Sequence, residues 1–114
     1  MYKYNTNDAM DGFMVIMSVN HCDIPVRGSF ASGNDLVDRK IENQILARAE
    51  YDIWAWASVG IQVRYYPEDG ERVESETEYI GGCNYKNAED FKENSGYYQS
   101  MVFRCIQNIF EKIK

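Results

Sequence analysis

The period of the hydrophobic pattern changes several times along the chain, and each change predicts an element. Residues 1–11 (MYKYNTNDAMD) are polar and without period, which reads as a loose arm. Gly12 to Val19 is almost continuously apolar, the pattern of a strand inside a sheet or buried on both faces. The connection from Asn20 to Gly33 holds Pro25, Gly28 and Gly33 and resists helix. Ser32 followed by Asp35 is a helix-start signal, and from about Asn34 to Glu50 the positions Val37, Ile41, Ile45 and Ala49 recur at helical spacing. They form a single apolar stripe.

The clearest alternation runs from Ile53 to Tyr66. There Ile53, Ala55, Ala57, Val59, Ile61, Val63 and Tyr65 share one face of a long strand, and Trp54, Trp56, Ser58, Gly60, Gln62, Arg64 and Tyr66 the other. Pro67 to Glu71 supplies turn chemistry, so a hairpin returns through Val73 to Cys83, with Gly81-Gly82 ending or bulging it. On the return, Glu74, Glu76 and Glu78 share a face, at a spacing of ~6.8 Å per two residues. Asn87 with Asp90 starts a short helical turn through Phe91. A final helix from about Tyr97 to Lys112 turns Tyr98, Met101, Val102, Cys105, Ile109 and Ile113 to the core. This order predicts an α+β fold: a small, mostly antiparallel sheet of about three strands around a long hairpin, with two main helices on one face. At 114 residues the chain is one domain, able to bury about two-thirds of its unfolded surface in a single core.

Charge changes this picture of an ordinary domain. The net charge is -6, and all of it falls between Pro67 and Glu93, where nine acids face three bases while the rest of the chain balances. A negative lobe on a neutral body disfavours nucleic acid and anionic lipid and suits a basic protein partner. Three cysteines, Cys22, Cys83 and Cys105, show no paired spacing, so all are read as thiols of a cytoplasmic protein. The longest apolar runs are too short for a membrane span, and residues 1–11 lack the basic end of an export signal.

Catalytic patterns are missing: no nucleophile elbow, zinc-protease helix or dinucleotide fingerprint occurs, so no enzyme, metal site or cofactor is expected. His21 beside Cys22 invites a nucleophile reading, but adjacent residues of an extended segment point to opposite sides. Arg27, Gly28 and Ser32 precede a helix start in a way that suits a phosphate, with Tyr85 or Tyr97 as stacking faces, and this carries a second reading as a nucleotide- or small-molecule-binding protein. Asp35 and Asp38, however, sit where the anion would go, and Arg27 is free to pair with an acid of the same chain. Trp54, Trp56 and Tyr66 are either an exposed aromatic patch, suited to a partner or to homodimerisation, or core in the reversed register.

Short pieces of the chain, Pro25-Val26-Arg27-Gly28, Ala31-Ser32-Gly33-Asn34-Asp35 with Asp38, Trp54-Ala55-Trp56-Ala57, Gly81-Gly82-Cys83-Asn84-Tyr85, Asp90-Phe91 and Gly96-Tyr97-Tyr98, resemble a family of small acidic proteins of bacteriophages and prophages. The resemblance spans about Pro25 to Ile113 and implies a phage setting inside a host cell, without assigning any residue a role. Combined with the charge, it leads to the expectation of a non-enzymatic inhibitor of a bacterial defence complex, of the anti-CRISPR or anti-restriction kind. Glu68, Asp69, Glu71, Glu74, Glu76 and Glu78 would meet the basic nucleic-acid-binding groove of that partner, with Trp54, Trp56 and Tyr66 as anchors.

Overall fold

The computed structural model describes residues 6–10, 12–68, 70 and 72–113. In chain order these form strand β1 (Thr6–Met10), strand β2 (Phe13–His21), helix α1 (Asp35–Ala49), a 3-10 turn (Ile53–Ala55), strand β3 (Ala57–Tyr65), strand β4 (Glu74–Cys83), helix α2 (Ala88–Asn94) and helix α3 (Tyr97–Lys112). The fold is α+β, and among the described residues the sheet is antiparallel in the order β1-β2-β3-β4.

The expected arm is therefore in part a strand. Thr6–Met10 pairs with β2 from Thr6↔Met17 to Met10↔Phe13, while residues 1–5 and 11 lie outside the described residues. No periodicity announces β1, because its pairing is imposed by a neighbour. The local signal is the Asp11-Gly12 dipeptide between the strands, with Gly12 at φ 85°, a geometry that a hairpin turn requires and glycine adopts without strain.

The core lies on one face of the sheet. Val15, Met17 and Val19 of β2 and Ala57, Val59, Ile61 and Val63 of β3 are all essentially inaccessible and meet Met101, Val102, Cys105 and Ile109 of α3 and Phe91 of α2. The apolar run of β2 is thus explained by an interior position between β1 and β3, as its pattern suggested. β3 begins later than its alternation suggests, because Asp52 caps Trp54 N–H at 3.0 Å and turns residues 53–55 into a 3-10 turn. The register of β4 shifts between Ala57 and Val59, where Gly82 at φ 65° supplies the bulge expected of the glycine pair.

Helix α1 packs at the end of this body, against the 3-10 turn and a second cluster of Val26, Ile45 and Trp56. Asn34, one residue after the Ser32-Gly33 pair, is the cap in place of Ser32: its Oδ1 accepts from Leu36 and Val37 N–H, while Ser32 Oγ accepts from Asn34 N–H. The expected stripe is rotated as well. Val37 is 46% exposed, whereas Asp38 and Glu42 are buried beside Ile45. The reason is polar: Ser32 N–H lies between the two Asp38 oxygens (3.2 and 3.1 Å), and Gly28 N–H and Arg27 reach Glu42 at 3.0 and 3.3 Å. Two carboxylates thereby hold the 25–33 connection against the helix and supply partners for amides that the turn leaves open.

Candidate binding cleft

The acidic row of β4 does not stand apart from the fold. Pairing Glu76 with Val63 and Glu78 with Ile61 puts these side chains on the face that α3 covers. There Arg104 reaches Glu78 at 2.9 Å, and Lys112 reaches Glu76 at 3.5 Å and the Ser75 carbonyl at 3.0 Å. Glu76 and Glu78 fasten α3 to the edge strand, so they are neutralised internally, and Glu74 continues the same half-buried row. Glu68 is exposed in the turn, and Asp69 and Glu71 lie outside the described residues.

Neither tryptophan forms an exposed patch. The 3-10 turn breaks the alternation that would have aligned them, and both are core. Trp54 packs on Phe91 in the main core with ring centroids 5.9 Å apart. Trp56 enters the second cluster beside Phe30, where its Nε1–H donates to the Ile24 carbonyl at 2.6 Å. Tyr66 is half exposed at the far end of β3.

The phosphate cradle is filled by the chain itself. The amides of Gly28 and Ser32 and the Arg27 guanidinium, which also donates to Asn43 Oδ1 at 2.6 Å, are engaged by Glu42, Asp38 and Asn43. Tyr85 stands edge-on to Phe91 at 5.2 Å, its phenol pushed above the usual value first by burial, while Tyr97 is half exposed. No open anion site remains among these residues.

His21 and Cys22 part as the strand geometry requires. Cys22 Sγ accepts Gly82 N–H at 3.2 Å, while His21 pairs across with Ala57 on the helix-bearing face. Burial pushes the Cys83 thiol up to about 11, with Cys22 as the second cause, and burial likewise pushes the Cys105 thiol up to about 11. Both stay protonated and inert at neutral pH.

A concave feature lies where β2, the α1 end and the α2 start converge. It encloses about 610 Å³ and is lined by His21, by residues Ala49 to Trp54, and by Asn87, Ala88 and Glu89. Its walls are fastened by Arg48, which pairs with Asp52 at 2.7 Å, donates to the Tyr85 carbonyl at 2.6 Å and reaches Asn84 Oδ1 at 3.4 Å. Tyr85 N–H donates to the Trp54 carbonyl at 3.1 Å, and Asn87 Oδ1 caps Asp90 N–H at 2.9 Å. Asp90 is fixed in turn: the Lys86 N–H at 3.0 Å, then Asn94, hold its carboxyl below the usual value. Every group that builds the walls is thus engaged. The side chains at the mouth, His21, Glu50, Tyr51 and Glu89, are exposed and have no hydrogen bond or ion pair among the described residues. Sequence reasoning does not find this cleft, because three segments distant in the chain compose it; of its acids only Glu89 belongs to the acidic stretch that the charge count picks out.

Among the described residues no cluster of His, Cys, Asp or Glu is placed to hold a metal ion, and no helix is long and apolar enough to cross a membrane. In comparisons with known proteins, no family model, no curated protein and no solved structure matches this chain.

Proposed function

We propose that the chain is a non-enzymatic binding protein that acts by occupying a basic protein, as a stoichiometric inhibitor of a bacterial defence complex of the anti-CRISPR or anti-restriction kind. One observation carries the reading. Arg27, Arg48, Arg104 and Lys112 are engaged in internal pairs, and among the described residues the exposed acids without an ion pair, Asp23, Asp35, Glu50, Glu68, Glu89 and Glu93, outnumber the exposed cations without one, Arg39, Lys40, Arg72 and Lys86. Of this outward surplus Glu50 and Glu89 line one cleft while Glu68 lies apart on the β3–β4 hairpin, and it is the cleft end that steers a positively charged groove and competes with the nucleic acid that groove holds. The phage setting comes from the sequence resemblance alone.

The test is phage plating on bacteria that carry a restriction or CRISPR system, with and without the expressed chain, followed by nucleic-acid binding by the purified defence complex. The reading expects restored plating and loss of nucleic-acid binding at a one-to-one ratio, with inhibition that weakens as salt rises. A panel of such systems left undisturbed by equimolar folded protein would overturn it.

A further inference from the structure

Resting on that reading, we infer that the cleft among His21, Glu50–Trp54 and Asn87–Glu89 is the anchor pocket for one arginine or lysine side chain of the basic partner. Three properties of the site specify this ligand. Its volume, about 610 Å³, is ample for one long side chain, which can enter because the cleft is open to solvent. Its floor, where Ile53, Trp54 and Ala88 are buried or half-buried, offers apolar surface for an aliphatic stem, while Glu50 and Glu89 at the mouth offer two carboxylates for the cationic head. Its walls are fixed in advance by the Arg48 pairs and by the Asn87 cap, so binding does not have to order them.

An anionic ligand is the wrong chemistry for this mouth, since Glu50 and Glu89 would repel it and the nearby guanidinium of Arg48 already holds Asp52 and the Tyr85 carbonyl. A purely apolar anchor would leave the carboxylates desolvated against nothing, which costs free energy without return. A long basic side chain satisfies floor and mouth together. The occupant is thus a protruding arginine or lysine on the surface of a nucleic-acid-binding protein, seated as the buried centre of an otherwise electrostatic contact.

The experiment uses the full chain and a short arginine-serine repeat peptide, with amide chemical shifts and calorimetry read at physiological salt. Shifts concentrated at Glu50–Ile53 and Asn87–Glu89 are expected. A Glu50→Gln, Glu89→Gln double variant is expected to lose at least tenfold in affinity, whereas Glu68→Gln on the distant hairpin loses less than twofold. Both substitutions are at exposed positions, and an unchanged Tm establishes that the fold survives. The same peptide with citrulline, which keeps the shape and lacks the charge, is expected not to bind. Undiminished affinity of the double variant, shifts confined to the hairpin, or no binding by the arginine peptide would each overturn the pocket. Argininamide binding as tightly as the peptide would also overturn it, by marking a small-molecule site. Hairpin-centred binding leaves the proposed function standing; a failed plating assay with an intact pocket removes the function alone.

Discussion

Replacing Arg48 by methionine keeps the aliphatic stem and removes the charge and every donor of the guanidinium. That head carries an ion pair to Asp52 at 2.7 Å and a hydrogen bond to the Tyr85 carbonyl at 2.6 Å, with weaker contacts at 3.4 Å to Asn84 and to the Lys86 carbonyl. Hydrogen bonds to a charged group contribute about 1.5–3 kcal/mol each when protected. Arg48 and Asp52 are each roughly a quarter exposed, so water recovers part of the loss. The two short contacts together then give a destabilisation of about 2–4 kcal/mol, which for a chain of this length is a fall in Tm of about 8–16 °C at ~4 °C per kcal/mol. Urea denaturation with an unchanged slope reads the quantity directly. A cycle with Asp52→Asn then assigns the share of the ion pair. The consequence for the cleft is separate: the turn after α1 loses its tie to the loop after β4, so protection of the Tyr51 and Trp54 amides against hydrogen exchange falls more than that of β3. A loss below about 0.5 kcal/mol, the scatter expected of a neutral surface change, would refute the claim that Arg48 fastens the walls.

Other substitutions test other parts of the structure. Phe91 is fully buried between Trp54 and Tyr85, so Phe91→Ala is expected to cost about 3–5 kcal/mol in urea unfolding. A Glu76→Lys, Glu78→Lys double variant faces Lys112 and Arg104 with like charges and is expected to lower Tm, whereas adding Arg104→Glu and Lys112→Glu restores it. Loss of partner binding by the first variant alone is thus a folding effect. A Cβ on Gly60 would sit 2.8 Å from the exposed Tyr79 ring and 2.9 Å from Ser18 Oγ, so Gly60→Ala displaces both side chains, and a Gly60→Ala, Tyr79→Ala double variant, which removes the closer clash, is expected to be more stable than Gly60→Ala. Cys83 and Cys105 are held up to about 11 from an ordinary 9.0, so the folded state retains protons that the unfolded state gives up; the contribution of these two thiols is constant below about pH 8 and is lost between 9 and 11, in urea midpoints taken from pH 8 to 11.

How far the sequence foretells this structure depends on where the information lies. The period-two row Ala57, Val59, Ile61 and Val63 and the α3 residues Met101, Val102, Cys105 and Ile109 are legible because one strong periodicity serves one buried face. The Asn87 cap is legible because it is local. The orientation of α1 is not, for its buried edge holds Asp38 and Glu42, and their burial makes sense only once the amides of Gly28 and Ser32 arrive from the preceding loop. The direction in which Glu74, Glu76 and Glu78 point is also hidden. Period two establishes that they agree with one another, and the register against Val63 and Ile61 decides that they point at α3. Trp54 and Trp56 show the limit of alternation as a guide, since Asp52 converts the start of the expected strand into a 3-10 turn and sends the two indoles into different clusters.

A single excess of negative charge is therefore divided into two populations with opposite demands. Carboxylates such as Asp38, Glu42 and Asp52 are held by amides and guanidinium groups inside the fold and are partly shielded from solvent, so added salt screens them weakly. Carboxylates such as Glu50, Glu68 and Glu89 stand in water, where a Debye length of about 8 Å at physiological salt confines their reach to a partner already close. The internal group fixes the fold, Asp52 at the cleft wall and Asp38 and Glu42 at the 25–33 connection, and the external group supplies attraction without obliging the fold to change. This division separates folding from binding: salt that abolishes partner capture should leave the unfolding midpoint nearly where it was. A protein whose stability and partner affinity declined in step with salt would instead be held together by the same charges that meet the partner, and the distinction between clamp and docking surface would fail.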